Sequence, residues 1–185
     1  LHFFEDEPFG GIPVIAYYKM NQAQRSDGTI VSIEGQGGDE TFGGYLSHSY
    51  MAMYDLYRSG QEPELLAKLL ASCNADIQAV VRTAEALIAS GFQSHMDLTD
   101  MRDCSASPAA KEIDWLRTIQ RHDILINKIP RTLRFHDRAS MACGREVRFP
   151  LLDHHVLAYG LAFDHKTKYA DGLNKAPLRA IIRRH

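Results

Sequence analysis

Apolar residues recur along this chain mostly at intervals of three and four, the spacing of one helix face, and only once as a short continuous branched run. Val14, Ile15, Tyr17, Tyr18 and Met20 predict a helix over 14–24, closed by the turn Ser26-Asp27-Gly28. Thr29-Ile30-Val31-Ser32-Ile33 then reads as a strand buried in a parallel sheet, ending in a glycine-rich loop at the carboxyl edge, where ligands of open α/β sheets sit. Helical stripes return over 48–58, 62–72 and 75–90, the last stopped by Gly91. The polar, poorly periodic stretch from Gly91 to Pro108 predicts a surface loop or short irregular helix without chemistry. A longer helix is expected over 111–128, with the single tryptophan at Trp115, and further helices over 130–140, 154–163 and 175–184. One clear strand and about seven helices make a mostly helical α/β layer on a sheet whose other strands are faint or missing.

Composition narrows the functional classes. With 45% hydrophobic and 24% charged residues, the 185-residue chain has the makings of one globular core. A formal net charge of -2 excludes a general nucleic-acid or anionic-membrane binder, so any anion site must be local. No apolar run approaches the roughly 20 residues that span a bilayer, and the opening Leu-His-Phe-Phe-Glu-Asp-Glu lacks the features of a signal peptide, so a cytoplasmic protein is expected. Cys73, Cys104 and Cys143 lack zinc-site spacing and read as buried free thiols. The first residues, with Pro8, Gly10, Gly11 and Pro13, read as the middle of a fold, from which a preceding segment is expected.

Two stretches carry chemistry. In Glu34-Gly-Gln-Gly-Gly-Asp-Glu40, three glycines within four residues let backbone pass close to a ligand and turn N–H groups toward an anion, while Asp39 and Glu40 offer hard oxygens for Mg²⁺. The alternative is a structural turn leading into an acid-capped helix. No Walker lysine or dinucleotide fingerprint accompanies the loop. Between Arg131 and Arg148, five arginines are interleaved with Asp137 and Glu146, and Asp153 follows. That pattern predicts an arginine–carboxylate network, from which one or two arginines turn to phosphate.

Gly35-Gln-Gly-Gly-Asp-Glu-Thr-Phe-Gly-Gly-Tyr45 is followed about 90 residues later by Asp137-Arg-Ala-Ser-Met-Ala-Cys-Gly-Arg-Glu-Val-Arg-Phe-Pro-Leu-Leu-Asp153. With Glu7-Pro8-Phe9-Gly10 before and Lys175-Ala-Pro-Leu-Arg179 after, this pair resembles the signature segments of the asparagine synthetase family across nearly the whole chain. The resemblance implies part of an adenine nucleotide alpha hydrolase-like (PP-loop ATP pyrophosphatase) synthetase domain. It implies ATP and Mg²⁺ as cofactors, adenylation of a small-molecule carboxylate, and amidation by ammonia from a glutaminase domain, with a homodimer allowed and no nucleic-acid or membrane partner. By the same resemblance Asp39 is the Mg²⁺-pyrophosphate ligand, and Gly35, Gly37 and Arg138 bind the nucleotide. Gln36 orients the acyl-adenylate or acceptor, and Tyr45 closes the pocket. Several departures bear on these roles. The family's first phosphate loop, its nucleophilic cysteine and the Arg-x-Lys segment with its catalytic lysine are absent from residues 1–185, and Lys175 is not that lysine. The fragment alone is therefore expected to be inactive. Gln36 stands where asparagine-forming members often carry glutamate, which leaves open a uronic acid or peptide as acceptor. A non-catalytic helical interaction module is the reading from another class.

Overall fold

The computed structural model describes residues 11–91 and 113–184, which divide into two compact units. The predicted loop over 91–108 and Cys104 lie largely or wholly outside the described residues.

The first unit comprises the chain up to Gly37 together with Asp123–Leu157. Helix α1, Ile12–Ser26, starts with Pro13 in its first turn, where a missing N–H costs nothing, and is followed by Asp27 at its cap and by Gly28 with φ 83°. Strand β1, Val31–Ile33, pairs in parallel with β2, Glu146–Arg148, in the register Val31–Glu146, Ser32–Val147, Ile33–Arg148. Flanking bonds from Glu146 N to Ile30 O and from Glu34 N to Arg148 O, both 2.9 Å, extend the ladder to the edge of the glycine loop.

Two expectations change here. The run 29–33 is not a buried strand: Ile30, Val31 and Ile33 are 59%, 41% and 74% exposed. Among the described residues the sheet has two strands, and exposure alternates along both, so only the face with Ser32 and Val147 is covered. The second strand escaped notice because a three-residue Glu-Val-Arg segment carries almost no apolar signal. In addition, no break separates 128 from 130. A π-helical turn, Asp123–Asn127, leads straight into α7, Lys128–Met141, and Pro130 falls in the first turn of α7, where proline is tolerated.

Arg145, 1% exposed, stands just before β2. Its Nε donates to Thr29 O at 3.0 Å, and Nη1 donates to Asn21 Oδ1, tying α1 to the entry of β1 through neutral oxygens. Arg148 does pair with Glu146, at 2.7 Å, but both are well exposed and the pair adds little stability. The predicted network therefore holds for Arg148 and not for Arg145.

The second unit comprises Gly38–His122 and Ala158–His185. Its helices are α2, Gly38–Phe42; α3, Leu46–Ser59; α4, Pro63–Ser72; α5, Ile77–Gly91; and α6, Trp115–His122. After α8, His154–Ala162, which begins in the first unit, come α9, His165–Lys168, and α10, Ala176–Ile182. The predicted stripes converge in one core, in which Met51, Met53 and Leu56 of α3 meet Leu69 of α4, Val80 and Ala84 of α5, and Leu116 of α6. Gly60, at φ 66°, closes α3 by donating to Leu56 O. Among the described residues no helix is long and apolar enough to cross a membrane.

Candidate functional site

The glycine loop leaves β1 and runs directly into α2. Gly37, at φ 92°, lies so close to the Leu152 side chain that any Cβ there would collide with it. Gly35 is different: its φ is ordinary, it is exposed, and no described atom lies within 4 Å of where a Cβ would stand. The protein's own packing demands glycine at 37 but leaves the space beside Gly35 open. Gln36 between them is half-buried, and its side chain has no hydrogen bond among the described residues.

In the second unit Asp39 and Glu40, adjacent in sequence, part company. Glu40 is buried, and its Oε1 accepts a 2.6 Å hydrogen bond from the Tyr45 hydroxyl, while the Tyr45 ring meets His48 edge-on. Asp39 is 39% exposed in its side chain and pairs with Lys175 Nζ at 2.6 Å. Of the two carboxylates offered by the sequence, therefore, only Asp39 is available to a ligand, and the Tyr45 phenol is already engaged.

Lys175 was the residue that sequence reasoning set aside. It caps the start of α10 in the left-handed region, φ 52° and ψ 32°, a conformation that costs a non-glycine residue roughly 1 kcal/mol or more. Asn174 Nδ2 beside it donates to Gly44 O at 2.9 Å, and Gly44 N donates to Asp39 O at 2.8 Å. Gly44 is held between the side chains of Asp39 and Lys175, with no room for a Cβ. The signal for Lys175 was its place in the Lys-Ala-Pro-Leu-Arg segment; what the sequence lacked was the turn that brings it back to Asp39.

Beneath α2 lies a second group that the sequence did not reveal. Gln120 is fully buried, and its Nε2 donates to Glu40 O at 2.7 Å and to Thr41 O at 2.8 Å. Its Oε1 accepts from Lys168 Nζ at 2.6 Å. Burial holds the Lys168 ammonium down at about 8. The short α2, with too few residues to be stable alone, is thus pinned from below by an amide whose orientation is fixed by a buried cation.

Arg138 lies on α7 in the first unit, half-buried, two residues after His136. A separate cluster in the second unit, Asp55, Asp114 and His165, has the donor set of a metal centre. Its carboxylates are occupied with α6, however. Asp55 accepts from Trp115 N at 3.2 Å and Leu116 N at 2.9 Å, and Asp114 accepts from Arg117 N at 2.8 Å. His165 Nε2 lies 3.3 Å from Asp55, whose pKa burial nevertheless pushes up.

Asp39 and Lys175 fit Mg²⁺ only in company. Mg²⁺ sites commonly combine one or two carboxylates with substrate phosphates, and here one carboxylate stands beside a cation that would repel a bare metal but suits a metal bound to polyphosphate.

The family description "Asparagine synthase" matches residues 1–185. A 43-residue stretch is 46% identical to "Putative asparagine synthetase (glutamine-hydrolyzing) 2" of Methanocaldococcus jannaschii, covering 23% of this chain and 8% of that relative. No solved structure matches the chain. The family match spans the whole sequence, so this chain belongs to the asparagine synthase family.

Proposed function

We propose that this chain supplies the pyrophosphate side of an ATP-dependent synthetase that adenylates a carboxylate and converts it to an amide with ammonia. The observation that carries the reading is the Asp39–Lys175 pair at the end of the glycine loop, a carboxylate and an ammonium 2.6 Å apart and both still partly exposed. In the first half-reaction a carboxylate oxygen attacks the α-phosphorus of ATP, and pyrophosphate leaves. In the second, ammonia attacks the acyl carbon, AMP departs and a proton is lost. Mg²⁺, when bound with ATP, would neutralise charge building on the leaving pyrophosphate. Asp39 would hold the metal, and the Lys175 ammonium, released from Asp39, would pair with a phosphate oxygen, so both charges stand at the site before the nucleotide arrives. The open space at Gly35 admits the nucleotide against bare backbone. Gln36, able to donate and accept but not to titrate, orients the acyl group or the acceptor, and Arg138 contributes positive charge on the nucleotide side.

The finer reading is asparagine formation from aspartate with ammonia from a glutaminase domain, supported by the family match and by the name the archaeal relative carries. Gln36 in place of the glutamate common among asparagine-forming members favours a different acceptor, such as a uronic acid or peptide, as the second reading. The test is acceptor-dependent pyrophosphate release by the longest native chain that contains these residues, with aspartate, a uronic acid and a peptide compared at saturating ATP. Asp39→Asn should lower release by roughly 100-fold or more with unchanged melting temperature. A variant with normal rates would overturn the metal-ligand role, leaving Asp39 as a helix-start carboxylate.

A further inference from the structure

Two residues about 100 positions apart, each next to one of the signature segments, meet inside the first unit. Glu34 stands between β1 and Gly35; His136 stands on α7 immediately before Asp137 and Arg138. Glu34 Oε2 lies 3.0 Å from His136 Nδ1, and Glu34 Oε1 accepts a 2.6 Å hydrogen bond from the Tyr17 hydroxyl. The imidazole stacks on the Tyr17 ring with centroids 3.9 Å apart and planes 26° apart, and the Phe149 ring is tilted against the imidazole at 6.0 Å. Both members of the Glu34–His136 pair are less than a fifth exposed, well shielded from solvent screening.

The chemistry of the three groups leaves little freedom. A carboxylate only accepts, so Tyr17 must donate to it, and burial together with that bond raises the phenol's pKa and keeps it protonated. Nδ1 of His136 therefore carries a proton, and the ring is fixed by stacking and by a charge-assisted bond at once.

What this arrangement holds is the glycine loop. Gly35 has no side chain, and no described atom lies within 4 Å of where a Cβ would stand, so no side-chain packing anchors it. The loop is fastened at its far end by Gly37 against Leu152, and at its near end by Glu34. We infer that Glu34 and His136 are positioning residues for the adenylation reaction, coupling the phosphate-facing loop to the helix that bears Arg138. The inference rests on the reading of that loop as a phosphate wall. A displacement on the order of 1 Å in such a wall can cost about 100-fold in rate.

The experiment uses the longest native chain and the same pyrophosphate assay, with Glu34→Gln, Glu34→Ala, His136→Gln and His136→Ala beside Asp39→Asn. Glu34→Ala and His136→Ala should each lower kcat by roughly 10- to 100-fold with acceptor KM changed less than about threefold. The double alanine variant should be no worse than the poorer single one, because both remove the same coupling. His136→Gln, whose amide can still donate to Glu34, should recover most of the loss, and Glu34→Gln should fall between. If all four stay within twofold of the parent, or if His136→Gln is as poor as His136→Ala and rates follow melting temperature alone, the pair only packs the core and the inference is overturned. If Asp39→Asn also keeps full activity, it is the phosphate-wall reading that fails.

Discussion

Replacing Lys168 tests whether α2 rests on a buried cation. Lys168 is 1% exposed, donates to the neutral Gln120, and is held at about 8 against 10.5 for an ordinary lysine, first by burial and then by Arg117; Asp114 and Asp164 partly oppose this. At about 1.4 kcal/mol per pH unit, that gap comes to about 3 kcal/mol. The sign follows from proton counting. Between pH 8 and 10.5 the unfolded chain keeps the lysine proton while the folded chain has lost it, so unfolding takes up a proton and stability rises with pH through this window. Below pH 8 both states are protonated and the full penalty of the buried charge applies. The unfolding free energy of the parent, relative to Lys168→Met, should therefore climb by about 3 kcal/mol between pH 8 and 10.5. At pH 7 the two proteins should lie within about 2 kcal/mol, since the variant sheds a buried charge but strands Gln120 Oε1. Gln120→Ala at pH 7 should be worse by about 2–5 kcal/mol, leaving a buried ammonium and two carbonyls of α2 unpaired. Urea titrations followed by fluorescence of Trp115, the single tryptophan and part of the same core, give the free energies. Parallel pH curves for parent and Lys168→Met would refute the reasoning.

Two contrasts extend the test. Gly37→Ala should lose about 1–3 kcal/mol, because φ 92° and the Leu152 contact both penalise a Cβ; Gly35→Ala should keep its melting temperature yet raise KM for ATP, and an unchanged KM would remove the nucleotide from that face. Asp55→Ala should cost about 1–3 kcal/mol by freeing the N–H groups of Trp115 and Leu116, with Asp55→Asn milder, as read from urea midpoints at pH 7.

Legibility from sequence followed the strength of local pattern. The stripes holding Met51, Leu56, Leu69 and Val80 repeat at helical intervals and formed the core as read, because burial of one face dictates both the period and the partner. The strand over 29–33 was placed correctly in type, but its burial was not, since coverage of a strand depends on neighbours that its own residues do not specify. At the candidate site, the glycine spacing marked the loop between β1 and α2, in which Gly37 packs against Leu152 with no room for a Cβ. The division of labour between Asp39 and Glu40 could not be read, because successive residues in a helix point about 100° apart, and which one meets Lys175 depends on a turn more than 130 residues later. Gln120, Lys168 and the Glu34–His136 pair were invisible for the same reason: each is an ordinary polar residue until distant chain brings its partner.

The π-helical turn at Asp123–Asn127 has a consequence for anyone transferring residues onto this chain by counting. A wide turn holds one residue more than an α-helical one, so side chains of α7 stand about 100° around the axis from where an unbroken α-helical ladder starting at Asp123 would place them. Deleting a single residue there would keep the helix and still turn every later position to a different bearing, His136 and Arg138 among them. Correspondence along 123–141 therefore has to be reset at the turn.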